Sequence, residues 1–234
     1  MQKVETRGIV LAGGFGTRMR EVLDRQAVPC KALLRFDGMP VLQILLRELG
    51  KAGIGNSLVC VDHRSAETAV RSLVGDQEGI RVVRTPSGPT VQSLGFVSGS
   101  QADRWVFLYG HAPIDHRALT RMMNADKSEL VVSGYEASTR QIPLLIPRSG
   151  GVGKSVRKAT KARPFEVFIE PPFLLPAAFI ESYKATVASS PSTSLLDALH
   201  QWSRPIAVFH SGAPPEANTS QEWAAWGSYL RGFD

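Results

Sequence analysis

Cysteine is scarce in this chain. Only Cys30 and Cys60 occur, and neither belongs to a Cys-x-x-Cys pair, so no disulfide scaffold, zinc ribbon or dithiol redox motif organises the protein. No run approaches the ~20 apolar residues of a membrane span. The start, Met1-Gln2-Lys3-Val4-Glu5-Thr6-Arg7, is polar and passes into a short apolar run, which is not the order of a signal peptide. A cytoplasmic protein without a membrane partner is the expectation. Acid is also in short supply: 21 Asp and Glu face 27 Lys and Arg, for a net charge of +6. Arginine makes up 19 of those bases, and its planar fork suits phosphate groups. Such a balance fits nucleic acid or small polyanionic substrates. No zinc finger, RNP-like aromatic strand or basic heptad accompanies it, so small anions are favoured and no nucleic-acid partner is expected.

At 234 residues the chain is long enough to bury roughly 70% of its unfolded surface in one core. Short β-branched runs alternate with helical segments, the pattern of a mostly parallel sheet covered on both faces. Strands are expected at Gly8–Ala12, Ser57–Val61, Ile80–Arg84, Trp105–Tyr109, Leu130–Tyr135, Gln141–Ile146, Glu166–Ile169 and Ile206–Phe209. Helices are expected at Val41–Ala52, Ala66–Leu73, Thr90–Gly99, Arg117–Met123, Pro176–Lys184, Leu195–Trp202 and Ser220–Arg231. After about Asp126 the alternation breaks, which suggests a small antiparallel insertion before the chain rejoins the sheet. The fold class is therefore α/β: a three-layer αβα, Rossmann-like architecture with a mixed, mostly parallel central sheet.

The first strand runs into Leu11-Ala12-Gly13-Gly14-Phe15-Gly16-Thr17-Arg18-Met19. Glycines there let the backbone approach a ligand closely and offer its N–H groups to phosphate oxygens. A dinucleotide fingerprint would need glycine where Met19 stands, and Asp62 is too far along for its ribose acid. A Walker A loop would end in Gly-Lys-Ser/Thr, but this one ends in Thr17-Arg18. The later Gly153-Lys154-Ser155 has that ending, yet Arg148 occupies the place of the motif's first glycine.

The glycine loop is followed by Pro29-Cys30-Lys31-Ala32-Leu33-Leu34 and then Gly38-Met39-Pro40-Val41-Leu42. This succession resembles the sugar-phosphate nucleotidylyltransferases and their molybdopterin cytidylyltransferase cousins. The resemblance implies a nucleotidyltransferase fold over 1–234, with nucleotide bound by 1–126 and acceptor by 127–234. It implies transfer of NMP from an NTP to a phosphorylated sugar or similar acceptor, with pyrophosphate released. Both reactants are anions, so the site must offset their repulsion and stabilise the leaving group. By resemblance Leu11, Ala12, Gly13, Gly14, Gly16 and Thr17 line the nucleotide pocket. Arg18 then meets the β- and γ-phosphates, and Lys31 the α-phosphate and the incoming phosphate. Gly88 and Thr90 would read base or ribose, although Thr90 serves equally as a helix N-cap. Glu170, in Glu170-Pro171-Pro172, corresponds to an acid on the sugar hydroxyls.

One landmark departs from the pattern. The family's apolar strand ends in Gly-Asp-x-Pro, with the aspartate on Mg²⁺; here the stretch reads Tyr109-Gly110-His111-Ala112-Pro113. Mg²⁺ prefers carboxylate and water oxygens to imidazole. Three readings stay open. Mg²⁺ or Mn²⁺ is held by phosphates and a carboxylate near the C-terminus; His111 binds another metal or supplies positive charge itself; or the protein is a catalytically impaired binder. By resemblance Glu216 or Asn218, in Pro215-Glu216-Ala217-Asn218-Thr219, is the surviving oxygen ligand. Thr219 or Ser220 also reads as the N-cap of the last helix. Asp115 reads as a cap, His116 as surface, and Cys30 as filler. The bases Lys154, Arg157, Lys158, Lys161 and Arg163 read as a solvated hairpin or a flap over an anionic acceptor. Trp202, Trp223 and Trp226 read as core or subunit contacts, and a homo-oligomer stays open.

Overall fold

The computed structural model describes residues 4–14, 16–85, 102–125, 129–135, 144–152, 156–159, 161–190, 192–210, 212 and 219–233. The first half contains β1 (Thr6–Leu11), α1 (Arg20–Gln26), β2 (Arg35–Phe36), β3 (Met39–Pro40), α2 (Val41–Lys51), β4 (Ser57–Val61), α3 (Arg64–Val74), β5 (Ile80–Arg84) and β6 (Arg104–Tyr109). Then come α4 (His116–Met123), β7 (Leu130–Tyr135), β8 (Leu144–Pro147), β9 (Gly151–Val152), β10 (Arg157–Lys158) and β11 (Glu166–Pro176). The chain ends with α5 (Ala177–Ser189), α6 (Leu195–Gln201), β12 (Pro205–Phe209) and α7 (Ser220–Leu230).

Successive strand residues enter two different cores. Ile9, Leu58, Trp105, Phe107 and Phe173 face one way; Val10, Val59, Val106, Leu108 and Leu174 face the other. Period-two alternation with both faces apolar is what a fully covered sheet requires. α2, α3 and α4 cover one face through Leu42, Leu45, Val70 and Leu119. α5 and α6 cover the other through Phe179, Tyr183, Leu195 and Leu199. The three layers are those expected.

β5, β4, β1 and β6 are parallel neighbours in that order. β11 follows antiparallel, and β7 and β12 then run parallel to each other. The chain leaves β1 towards β4 and β5, then returns to lay β6 on β1's other side. Strand order reverses there, and the crevice beyond the carboxyl ends of such strands is where ligands of open α/β sheets collect. β8, β9 and β10 are antiparallel additions, as the broken alternation suggested.

β11 differs most from expectation. It continues through Glu170-Pro171-Pro172 to Pro176 rather than ending at Ile169. Its ladder with β7 shifts register between Glu170 and Phe173, so the two prolines sit in a bulge where no ladder N–H is needed. Their carbonyls accept instead from side chains: Tyr135 Oη donates to Pro171 at 3.1 Å and Ser133 Oγ to Pro172 at 2.9 Å. α1 was not anticipated; with seven residues and two buried side chains, Val22 and Leu23, it carries little periodic signal. The expected helix Thr90–Gly99 and the start of the strand Gln141–Ile146 lie outside the described residues.

Candidate functional site

The carboxyl ends of β1 and β6 meet where Leu11 pairs with Tyr109. From there the glycine loop leaves β1 and Gly110-His111 leaves β6. The two segments touch: Gly110 N–H donates to Leu11 O at 2.8 Å. A Cβ on Gly110 would lie 3.1 Å from Ala12 Cα, so a larger residue here would push the two strand ends apart by a few tenths of an ångström.

The loop is tied down on its inner side. Ala12 and Gly13 N–H both reach Cys60 O, at 2.8 and 3.2 Å, and Gly14 N–H reaches Asp62 Oδ1 at 2.8 Å. These three donors are therefore taken by the protein itself. The sequence pointed to Asp62 only as a misplaced ribose acid. Strand register is the signal that finds it: β4 lies beside β1 with Cys60 opposite Leu11, so the next residues flank Gly13. Beyond the tie, Gly16 adopts φ 55 and opens the helical turn Thr17–Met19. Helix starts leave their first N–H groups without partners inside the helix, and among the described residues those are at Gly16, Thr17 and Arg18. Thr17 and Arg18 are exposed.

Lys31 starts a second short turn, Lys31–Leu33, and its stem runs beneath the loop. A Cβ on Gly16 would meet Lys31 Cγ at 3.1 Å and Leu23 Cδ1 at 2.8 Å. Leu11, Ala12, Gly13, Gly14, Gly16, Thr17, Arg18 and Lys31 thus belong to one corner of the molecule. Cys30 beside them is fully buried, and burial pushes its thiol up to about 11, so it is an inert filler.

His111 is buried, and its ring stacks on Tyr109 with centroids 5.6 Å apart and planes at 15°. The segment that follows is clamped. Asp115 Oδ1 accepts from Arg117 N–H at 2.6 Å, which makes it the N-cap of α4. Asp115 N–H donates to Tyr229 Oη at 3.4 Å, and Ala112 packs in one cluster with Trp226, Leu230 and Ile44. His116 is not the surface residue expected. Its N–H and Nδ1 lie 3.1 and 2.8 Å from Glu48 Oε2, on a carboxylate of α2 with no exposed surface. Burial opposes charge on Glu48, but the hydrogen bonds from His116 and the Lys51 ammonium, 3.1 Å from Oε1, outweigh it and hold the carboxyl below its ordinary value.

Glu48, Asp115 and His116 form the one group of three metal-ligand side chains among the described residues. Their atoms already serve the α4 cap, the His116 clamp and the Lys51 pair, so the group reads as structure. Among the described residues His111 belongs to no such group of three. Glu216 and Asn218 lie outside the described residues, as do Gly88 and Thr90. Thr219 is the N-cap of α7, its side chain accepting from Glu222 N–H at 3.2 Å. Glu170 is buried opposite Ser133. It lies three residues past the Phe107–Phe173 pair, towards the edge where Gly110 leaves the sheet. The basic segment is partly committed: Arg157 pairs with buried Glu166, and Lys158 with Asp197. Of the tryptophans, Trp202 and Trp226 are buried and Trp223 half-buried.

A glycine loop at a switch point, with a lysine stem beneath it and a second glycine turn against it, defines a nucleotide-binding α/β protein. The chain belongs to the family of MobA-like NTP transferase domains, whose model matches residues 8–172. The fold is shared by the inositol-1-phosphate CTP transferase of T. maritima, with TM-score 0.76, 17% identity and 100% of both chains covered. It is also shared by the 4-diphosphocytidyl-2C-methyl-D-erythritol synthase of Anaerococcus prevotii, with TM-score 0.68, 16% identity and 97% of this chain against 99% of that one. The CTP:phosphocholine cytidylyltransferase of Streptococcus pneumoniae gives TM-score 0.66, 12% identity, and 97% and 100% coverage. No curated protein sequence matches the chain. Among the described residues no helix is long and apolar enough to cross a membrane.

Proposed function

We propose that the protein moves an NMP from an NTP to a phosphorylated sugar or similar small acceptor, with release of pyrophosphate. CTP is the first donor to test, because the three neighbours above are named for cytidylyl chemistry. The observation that carries the reading is the corner where the Lys31 stem underlies Gly16 while Gly110-His111 abuts the start of the same loop. An acceptor phosphate oxygen attacks the α-phosphorus; the bond from that phosphorus to the bridging oxygen breaks, and its electron pair leaves on pyrophosphate. Arg18 and the N–H groups at Gly16 and Thr17 neutralise the β- and γ-phosphates, so negative charge growing on the leaving group meets fixed donors. Lys31 lies between donor and acceptor phosphates and offsets their repulsion. Residues 1–126 supply the nucleotide site. Residues 127–234, including Glu170, supply the acceptor site.

A bound Mg²⁺ or Mn²⁺ would supply further positive charge at the reacting phosphates. His111 is the observation that favours a second reading, a protein that binds nucleotide or sugar phosphate without turnover. One assay separates the two: pyrophosphate release across four NTPs and a panel of sugar phosphates, with and without Mg²⁺ or Mn²⁺, beside calorimetric titration of each NTP. Release with one donor–acceptor pair supports transfer. Binding without release supports the second reading, and failure of every NTP to bind overturns the loop assignment.

A further inference from the structure

β4 ends at Val61, so Asp62 is the first residue beyond the carboxyl end of the strand beside β1. In dinucleotide-binding folds an acid some 20 residues past the glycine turn takes the ribose, and one helix separates it from that turn. Asp62 lies 48 residues past Gly14 in sequence, because α1, the β2–β3 pair and α2 all intervene between β1 and β4. The intervening chain does not alter the register, which sets Cys60 opposite Leu11 and brings Asp62 against the glycine loop. Spacing excludes Asp62 as a ribose acid; position restores it.

The carboxylate is held by one of its oxygens. Oδ1 accepts from Gly14 N–H at 2.8 Å and has His63 Nε2 3.7 Å away. Among the described residues Oδ2 has no partner, and the side chain keeps 24% of its surface exposed. The fit to the loop is close, since a Cβ on Gly13 would lie 2.6 Å from Asp62 Oδ1. Asp62 is thus fixed in place at the mouth of the loop, with one acceptor oxygen left over and open to solvent.

The loop is therefore polarised along its length. A carboxylate stands at Gly14, and two residues later come the helix-start N–H groups of Gly16, Thr17 and Arg18, with the Lys31 stem beneath them. Two residues of chain span at most ~7 Å. A nucleoside triphosphate has the complementary order: hydroxyl donors on the ribose, then the anionic phosphate oxygens. An ionised carboxylate accepts hydrogen bonds and donates none, so it suits a hydroxyl. It also repels phosphate, which disfavours the reversed orientation of the ligand. The ribose lies beside the phosphates and the base beyond it, so the hydroxyls are the donors that fall nearest this oxygen.

We propose that Asp62 Oδ2 accepts a hydrogen bond from a ribose hydroxyl of the bound NTP, so that Asp62 selects ribonucleotides over deoxyribonucleotides. The assignment rests on the nucleotide-binding part of the proposed function and not on turnover. It is tested by calorimetric titration of ATP, GTP, CTP and UTP, each beside its 2′-deoxy and 3′-deoxy counterparts. For the NTP that binds, loss of one of the two hydroxyls should weaken binding roughly 10-fold, the scale of a charge-assisted hydrogen bond. Asp62→Asn keeps an oxygen for Gly14 N–H but sets an NH₂ donor in place of Oδ2, and a thermal melt checks its fold. In that variant the ribo-to-deoxy ratio should fall to about 2-fold or less, because an NH₂ group cannot accept. Arg18→Ala should weaken every form alike and keep the ratio. A purely structural tie to Gly14 would also change all forms together, so the ratio separates the two roles. Equal binding of the NTP and both deoxy forms, or a ratio that persists in Asp62→Asn, would overturn this proposal and leave the loop assignment standing. Failure of every NTP to bind would overturn both.

Discussion

Gly16 and Gly14 sit two residues apart in the loop, and alanine at each should have different consequences. Both have positive φ, 55° and 99°, so an L side chain at either costs about 1–2 kcal/mol in backbone strain. For a chain of this length that is a Tm lower by roughly 2–8 °C. Space separates the two. An added Cβ on Gly14 meets nothing within 4 Å, whereas on Gly16 it lies 2.8 Å from Leu23 Cδ1 and 3.1 Å from Lys31 Cγ. The neighbours of Gly16 are side-chain atoms and can move, so the protein folds. Relief then comes by shifting the Lys31 stem. A displacement of even an ångström at a group that meets the reacting phosphates can lower turnover by about 10²-fold. Gly16→Ala should therefore reduce kcat/KM for pyrophosphate release far more than Gly14→Ala at comparable loss of Tm. Thermal melts and steady-state assays on the two variants check this. Equal kinetic losses, or a Gly16→Ala enzyme with full activity, would remove Lys31 from the reacting centre.

Arg18→Ala should weaken NTP binding by about 1.5–3 kcal/mol by calorimetry, with an unchanged circular dichroism spectrum, since the side chain is exposed. Glu48→Gln should lower stability by about 1–3 kcal/mol in urea melts, because the buried carboxylate holds His116 and Lys51 together. Acid should destabilise the fold in a defined window. Arg157 pulls the Glu166 carboxyl from 4.5 to about 2, and Lys158 with Ser194 pulls Asp197 from 3.8 to about 2. Both groups stabilise the native state fully above their ordinary values, and that stability drains away as pH falls from about 4.5 towards 2; Arg157→Met should flatten the pH dependence of Tm there. His111→Asp should raise Mg²⁺ affinity and Mg²⁺-dependent pyrophosphate release. A fall in activity instead assigns His111 a role of its own, and identical metal curves remove position 111 from the site.

The sheet was readable because its strands are short, β-branched and bounded by clear punctuation. Ser57–Val61, Ile80–Arg84 and Leu130–Tyr135 were read to the residue. Reading failed where tertiary contacts override local signals. Two prolines at 171 and 172 look like a strand end, and only the bulge against β7 and the side chains of Ser133 and Tyr135 let the strand continue. Asp62 looked unrelated to the glycine loop because 48 residues separate it from Gly14, and only the parallel register of β1 and β4 joins them. His116 looked like a surface residue because its partner, Glu48, lies one helix away in space and 68 residues away in sequence. Pattern reveals period and punctuation; it does not reveal which distant carboxylate a histidine meets.

The stretch from Gly110 to His116 is tied to the rest of the molecule from several sides. Its first N–H is held by Leu11 O of β1, and its last N–H by Glu48 of α2. Between them Asp115 N–H meets Tyr229 of α7, and Ala112 packs with Trp226 and Leu230 of the same helix. Three separate elements thus fix the path of seven residues, and the His111 ring within it is buried against Tyr109. A carboxylate there would meet the same backbone ties but would lose the stack on Tyr109. If position 111 meets a triphosphate, as the proposed function has it, the charge and hardness of the atom offered differ: an anionic oxygen recruits a hard cation, whereas an imidazolium would meet the phosphate itself. The direction of the effect of His111→Asp on metal dependence decides between those two chemistries, with a thermal melt beside it to report the loss of the Tyr109 stack.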